Sequence, residues 1–582
     1  MIHQNEYVLK NMFGSFFLAT VMSALISQLG GLTDSVVVTH LVSPDALSVV
    51  RIWTPIESVM FIVIGMMSAG ASFLTARGIG AQNYDKVNRV FNNHLYYVII
   101  SSLLVFALTM PFIDKFVGMA TTDERLLPML VPYAHAEFLA IFIVAVCGVP
   151  ISYVITNGNP AYITRRIVIS QILNVGFDLL FCGALDMGIA GASYATAVSN
   201  LLAFTSLVGY MRKNSHIFRL HRPEKICSIK QYRECFSIGI PMLISAFLGP
   251  ALAFTVNSLI VGKLGADGMY IFTIYFQINA ISMLALSGSN TAIGNIGGIL
   301  IGEEDFDSFR LLIRRIFRLL IAVMLVVSVL IFLFPDLLAR LFGADDNLIE
   351  KCYTPLRLMS LAFLPNAISE TLSELYFVQG HKKLCRWIEV VTNAGTIGVI
   401  VIMALFTPEL LWYILPLTAW LLLMVMMAMA YVVHHKNHLY AWPTLENTVP
   451  SNPSITYSVH YNPDDVHALL TKVRPFIDLC ELNDGIAVDM ALEELLYEVV
   501  DSNPNRNATD TFDVRIIDKT NNFIIVVKSK GPLRNPIYKY VDDDIMEMDE
   551  SNLRCAVLSR VCKNINHKYM NGINCIYLKY KR

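Results

Sequence analysis

"SQILNVGFDLLFCGALDMGIAGASYATAVSN" occupies residues 170 to 200, and its first half is apolar enough to lie in lipid. Asn174 and Asp178 interrupt it one helical turn apart, on one face of the expected helix. A carboxylate at mid-bilayer costs roughly 2.5 to 3.5 kcal/mol, so it faces a cavity or a partner and marks a pathway. Proton or cation binding cancels the charge that hydrocarbon rejects. A hydrophobic helix therefore accepts Asp178 when that group changes its charge state during work. The alternative is a permanently neutral Asp tying two helices together.

The rest of the chain sets this helix in a membrane. Of 582 residues, 55% are hydrophobic and 15% charged, with a mean hydropathy of +0.54. Ordinary soluble proteins are nearer a quarter charged. The net charge of -2 and the lack of a strongly basic domain give no nucleic-acid partner. The 10 cysteines show neither a disulfide framework nor a zinc spacing, so no metal is expected. The start of the chain lacks a basic n-region and a small-residue cleavage site, and reads as a first membrane helix.

Twelve apolar stretches before residue 435 are long enough to cross a bilayer. Odd-numbered connections such as "HLVSPDAL" hold few Lys or Arg, whereas even-numbered ones, such as "ARGIGAQNYDKVNR" and "NPAYITRR", are basic. The positive-inside rule then predicts a multi-pass protein of the plasma (inner) membrane with both termini cytoplasmic.

The chain also repeats itself. "LTDSVVVTHLVSPDA" (32 to 46) matches "TVNSLIVGKLGADGM" (255 to 269), and "IGAQNYDKVNRV" (79 to 90) matches "IGEEDFDSFRLL" (301 to 312). Gly158 in "VITNGNP" pairs with Gly380 in "YFVQGHK", so all three matches share an offset of 222 or 223 residues. Six helices per copy return the chain to the same side, which predicts two parallel bundles with a cleft between them. The expected fold is an all-α polytopic membrane protein of twelve helices in two six-helix bundles, residues 1–215 and 235–435, joined by a cytoplasmic loop at 216–234. Such an architecture predicts alternating-access transport of a small-molecule substrate across the lipid bilayer.

Asp34, in "GGLTDSVVV", is a second intramembrane acid, on the first helix; its counterpart in the second copy is Asn257. Asn174 and Asp178 map to Thr396 and Ile400 without a gap, or to Asn393 and Ile397 with one. Either alignment removes the carboxylate from the second copy, which places ion coupling in the N-terminal bundle. Glu370 and Glu374 share a face of the tenth helix and are candidates to line the C-terminal bundle.

After Tyr440 the composition changes. Residues 436–454 read as a Pro- and Asn-bearing linker, and 455–582 as a small cytosolic α/β domain. That domain is expected to hold a strand, two amphipathic helices and a hairpin turning at Asn521 and Asn522. "HHKNH" (434 to 438) reads as a juxtamembrane cationic anchor in preference to a metal site.

"LTDSVVVTHL", "ARGIGAQNYDKVNRV", "SIGIPML" and above all "LNVGFD" followed by "MGIAGASYATAVS" resemble the multidrug and toxic compound extrusion (MATE) family of antiporters, over the first 435 residues. The resemblance implies that Asp34, Asn174 and Asp178 fall on the positions that bind H⁺ or Na⁺ in the DinF-like branch. The NorM-like branch places an acid in the seventh helix, where this chain has Gly249. Asn257 and Gln277 become further pathway candidates.

In the tail, "DMALEELLYEVVDSN", "VVKSKGPLRNPIY" and "SNLRCAV" resemble the GHKL-type ATPase domain of anti-sigma-factor serine kinases. Glu494 matches the family's base. Glu498 stands at the Mg²⁺-binding Asn, Ser529 at the adenine-reading Asp before Gly531-Pro532, and the phosphate loop has no glycine. A neutral Ser529 cannot accept from the adenine amine as a carboxylate does, and Cβ atoms obstruct backbone approach to phosphates. ATP binding is therefore not expected. The tail becomes a domain kept for regulation or for contact with a cytosolic protein.

The resulting expectation is a secondary transporter and not an enzyme: a cation-coupled antiporter, driven by H⁺ or Na⁺ and using no other cofactor. It exports a small organic compound, cationic or amphipathic, and the tail modulates it. Two alternatives stand beside it: a lipid-linked-precursor flippase, and a membrane-embedded sensor whose tail binds a sigma-factor-regulator-like partner.

Overall fold

The computed structural model describes residues 7–120, 125–214, 218, 229–342, 346–406, 411–448, 452–480, 485–503, 506–507, 509–519, 522–532, 554, 558, 565–570 and 572–581. Backbone proximity groups Phe17–Thr156 and Pro160–Thr448 in one compact unit, and Val449–Arg582 with Met1–Phe16 and Asn157–Asn159 in another.

The first half of the membrane part is built from α1 (Tyr7–Leu41), α2 (Pro44–Gly80), α3 (Tyr84–Thr109), α4 (Ile113–Ala120), α5 (Leu127–Thr156), α6 (Pro160–Asp178) and α7 (Ala190–Asn214). The second half follows with α8 (Ile229–Ala292), α9 (Gly298–Gly302), α10 (Phe306–Leu333), α11 (Pro335–Leu341), α12 (Asp346–Ser360), α13 (Phe363–Gln379), α14 (Lys382–Phe406) and α15 (Leu411–Lys436). Among the described residues, 9 helical stretches are long and apolar enough to cross a membrane. The expectation of twelve also counts α2, α7 and α13. Several α2 side chains lie outside the described residues, and α13 has only 17 residues and carries Glu370 and Glu374. The second bundle's first helix starts at Ile229, inside the stretch read as a loop.

The duplication is visible in the backbone. α8 breaks at Gly265 (φ 66°, ψ -157°), the position equivalent to the turn between α1 and α2. Gln82 and Glu304 both take positive φ, 56° and 62°, and the next residues, Asn83 and Asp305, both cap the helix that follows. Gly158 and Gly380 are both left-handed, at 86° and 87°, and α6 and α14 then start at equivalent residues and run on unbroken. This settles the gap left open in the sequence. Asn174 corresponds to Thr396 and Asp178 to Ile400, while Gln171 corresponds to Asn393.

At the end of the bundles that carries the basic connections, the two copies meet across the repeat axis. A Cβ on Gly80 would collide with the Ile299 carbonyl, and one on Gly302 with the Arg77 carbonyl, its symmetry equivalent. Two glycines thus let the helix ends approach backbone to backbone, the small-residue packing common between membrane helices. Arg77 Nη2 donates to the carbonyls of Val378 (3.0 Å) and Gln379 (2.7 Å), and Thr156 Oγ1 donates to Asn295 Oδ1 (2.6 Å). These contacts close the basic end.

The stretch read as a linker is partly a strap folded against the second bundle. Tyr376 donates to the Pro443 carbonyl and the Gln379 side chain to that of Thr444, both at 2.7 Å. Leu445 is fully buried, and Arg310 pairs with Glu446 at 3.6 Å. Gln379 therefore joins the strap with its side chain and receives Arg77 with its carbonyl. Packing decides this segment's structure, and the local Pro and Asn content does not disclose it.

The tail places α16 (Pro463–Leu479) and α17 (Gly485–Asp501) against an antiparallel sheet of β1 (Ser454–His460), β2 (Thr511–Lys519), β3 (Asn522–Lys530), β4 (Ile565–Met570) and β5 (Ile573–Lys581), ordered β1-β2-β3-β5-β4. Its core interleaves Leu469, Val473, Leu492 and Leu495 from the helices with Phe512, Val514, Ile525 and Leu578 from the sheet. Lys519 pairs with Asn522, so Asn522 opens β3 as a strand residue and not as part of the turn; Asn521 lies outside the described residues.

Two outcomes are expected. Truncation after Thr448 leaves a folded membrane unit, whereas truncation after Tyr440 also removes Leu445, whose burial contributes about 2 kcal/mol. A lower melting temperature for the shorter chain, by fluorescence-monitored denaturation in detergent, checks this; equal temperatures contradict it. Gly302→Val should wedge the basic end apart, so that maleimide labelling of the buried Cys235, which packs on Gly70, rises. Mass spectrometry of that peptide reads the change, and unaltered labelling contradicts the assignment.

Candidate functional site

α6 carries a polar stripe at four-residue spacing: Arg166, Ser170, Asn174 and Asp178. Asn174 and Asp178 are buried, the latter completely. With its amide turned to satisfy both groups, Asn174 donates to the two carboxylate oxygens of Asp34 on α1, at 3.2 and 3.3 Å. Asp34 lies near enough for its charge to act on Asp178. Neither oxygen of Asp178 has a hydrogen-bond partner among the described residues. The structure thus gathers Asp34, Asn174 and Asp178 in the N-terminal bundle, with two acids and no cation against them. A buried anion without a partner is strongly destabilised, so the cluster calls for a proton or a metal cation. Directly after Asp178 the helix widens into a π-turn, Leu179–Ala184, a distortion common at functional positions.

The C-terminal bundle encloses a cavity of about 310 Å³. Glu370 lies on its wall, as does Glu389 of α14. Ser373 donates to Glu389 Oε1 at 3.2 Å and Asn393 to Glu389 Oε2 at 3.4 Å. The Thr418 hydroxyl, buried and without a described partner, borders the same space. Glu374 does not border it; its carboxylate packs against Gly294, within a second π-turn, Ile293–Gly297. Gln277 is exposed and does not line the cavity, and the Asn257 side chain lies outside the described residues. Glu389 was missed by the sequence reading, although an acid inside an expected span was signal enough. Glu137 of α5 was missed in the same way; it is held by the Ser193 hydroxyl at 2.6 Å.

In the tail, Glu494 faces Arg554 (3.7 Å), which also pairs with Asp501 at 2.8 Å. Glu498 is buried and accepts from Ser502 at 2.9 Å. Glu498 and Ser529 border a space of about 30 Å³, the share of one water in the liquid. Beside it, a Cβ on Gly531 would press on Asn503. Of "SNLRCAV", only Arg554 is among the described residues. His434 bonds the Tyr440 carbonyl at 2.6 Å, and the described residues contain no cluster of ligands able to hold a metal ion.

A family model, MatE, matches residues 19–180 and again 241–402. The two matches lie 222 residues apart, the offset at which the backbone repeats. The multidrug export protein MepA of Staphylococcus aureus (strain MSSA476) is 22% identical over 402 residues, covering 67% of this chain and 86% of that protein. MepA of Staphylococcus haemolyticus (strain JCSC1435) is 21% identical over 278 residues, 48% of this chain and 61% of its own. Two solved structures share the fold. MATE in the bent conformation superposes with a TM-score of 0.67 at 18% identity, over 73% of this chain and 95% of that one. A multidrug resistance MATE family transporter of the MOP superfamily, in an outward-facing conformation, gives 0.66 at 18%, over 73% and 96%. Matched twice, across more than half of its length, the chain belongs to the MatE family, multi-pass membrane proteins that are secondary transporters and not enzymes.

Proposed function

We propose that the protein is a cation-coupled antiporter that exports small organic cations or amphiphiles by alternating access between two six-helix bundles. The reading rests on one observation: Asp178 is fully buried, its oxygens lack partners among the described residues, and Asp34 and Asn174 stand beside it. Binding of H⁺ or Na⁺ there removes the charge penalty and favours one packing of α1 against α6; release favours the other. Multidrug export is the role the MepA relatives are named for, and the C-terminal cavity supports it here. Glu370 and Glu389 offer negative charge to a cation, beside amides and hydroxyls that accept varied shapes.

The positive-inside rule supports reading the end with the basic connections as the cytoplasmic side of a plasma-membrane protein, and both termini as cytoplasmic. In that orientation the contacts of Gly80, Gly302 and Arg77 form the inner gate of an outward-facing state. The tail acts as a regulatory domain of degenerate GHKL type without nucleotide chemistry. Arg554 pairs with Glu494, and Ser529 stands where the family's adenine-reading acid would be, which supports this reading. A cytosolic protein partner is the remaining use for such a domain, and the strap at 440–448 is its route to the gate.

Transport in proteoliposomes under an imposed pH or Na⁺ gradient tests the coupling. Asp178→Asn should lower gradient-driven movement of an organic cation by about tenfold or more, a loss of roughly 1.4 kcal/mol in the driven step. Undiminished transport removes Asp178 from the mechanism. Calorimetric titration of the full chain with Mg-ATP should give no binding heat; micromolar binding overturns the reading of the tail.

A further inference from the structure

The N-terminal bundle holds a cavity of about 220 Å³ that the coupling cluster does not use. Its lining is the repeat image of the acidic C-terminal cavity. Cys147, Ile151, Arg166, Ile167, Ser170 and Gln171 stand, at the offset of 222, where Ser369, Ser373, Ile388, Glu389, Thr392 and Asn393 line the other. Duplication made one cavity twice, and the two copies then took opposite charge. Glu389 marks the second; its equivalent in the first is Ile167, and the neighbouring Arg166 supplies a cation instead.

Arg166 is half-buried, and among the described residues it has neither an ion pair nor a hydrogen bond. Its guanidinium lies 4.8 Å above the ring of Tyr162, itself stacked on Tyr210 at 4.0 Å, which fixes the plane of the fork. The Gln171 side chain also lines the cavity; its amide packs against Gly30 of α1, and its buried Oε1 has no described hydrogen-bond partner. Ile163, Ile167 and Leu207 add apolar lining. Arg166 lies about 9 Å along α6 from its start at the basic end, near the depth of lipid headgroups. A planar guanidinium binds a carboxylate or phosphate through two parallel hydrogen bonds, and the apolar wall adds a place for a chain.

We propose that this cavity is a binding site for the anionic head of an amphiphile, held by Arg166 with its apolar chain along Ile163 and Leu207. The site is distinct from the cation cluster around Asp178, three turns further along the same stripe of α6. The transporter thereby offers one bundle to anionic heads and the other to cations.

Equilibrium binding to the purified full chain in nanodiscs tests the proposal, with octanoate, octyltrimethylammonium and inorganic phosphate as probes. Wild type should bind octanoate in preference to phosphate. Arg166→Gln should weaken octanoate by about tenfold or more and leave octyltrimethylammonium unchanged. Leu207→Trp, which fills the cavity and keeps the charge, should also lose octanoate; size-exclusion profiles and melting curves confirm that each variant is folded. Undiminished octanoate binding in folded Arg166→Gln or Leu207→Trp overturns the proposal, and so does phosphate binding as tightly as octanoate. Glu389→Gln provides the separate arm: unchanged octyltrimethylammonium binding there speaks against the C-terminal cation cavity and leaves the Arg166 site standing.

Discussion

A carboxylate sealed in a helical bundle without a partner is the constraint around which the membrane part is arranged. Asp178 is fully buried and, among the described residues, has no hydrogen-bond partner, while Asn174 and a second acid, Asp34, stand beside it. In such a place the charged form is held down by desolvation and by the neighbouring anion together. On the proposed reading, the bundle has two electrostatic states separated by one bound cation. The widened turn after Asp178 and the stripe that continues through Asn174 and Ser170 to Arg166 are the local structure such a residue requires.

Duplication explains why a change in one bundle concerns the other. The two copies share helix breaks, left-handed residues and caps at a constant offset, so they meet on equivalent backbone surfaces. Gly80 and Gly302 interlock as images of each other, a contact made of main chain and therefore intolerant of partial displacement. Side chains were free to diverge where backbones were not. Asp178 became Ile400 in the second copy, and Arg166 and Ile167 became Ile388 and Glu389. The same framework thus carries unlike chemistry on its two sides. Gln379, joined both to Arg77 and to the strap, gives the chain beyond α15 a physical hold on the interlock.

Much of this was legible in the sequence because it depends on pattern. Apolar length disclosed the membrane helices, and three short matches disclosed the repeat. Asn174 and Asp178 were conspicuous because polar residues are costly where they stand. Both tail helices and the first three strands followed from alternation and amphipathicity, whereas β4 and β5 were not anticipated. Other features depend on tertiary contact and leave no local trace. The strap looks like a linker because its order comes from Leu445 entering the second bundle and Glu446 meeting Arg310, 136 residues away in sequence. Arg166 looked like one more charge of a basic connection, and only the fold shows it turned into a cavity. Glu389 and Glu137 were passed over among bulkier signals, although each is an acid in an apolar helix. Glu374 illustrates the reverse: helical spacing paired it with Glu370, yet packing set it against Gly294.

The central claim is that occupation of the Asp178 site by a cation and occupation of the transport cavity by an organic cation are mutually opposed. Ion release measured directly tests this without any membrane or gradient. Octyltrimethylammonium is added to purified protein in weakly buffered detergent, with a pH dye and a sodium electrode recording together. The account predicts release of H⁺ or Na⁺ from the native protein as the organic cation binds, and no release from Asp178→Asn. Equal release from both proteins, or organic-cation binding with no ion released from either, would contradict it.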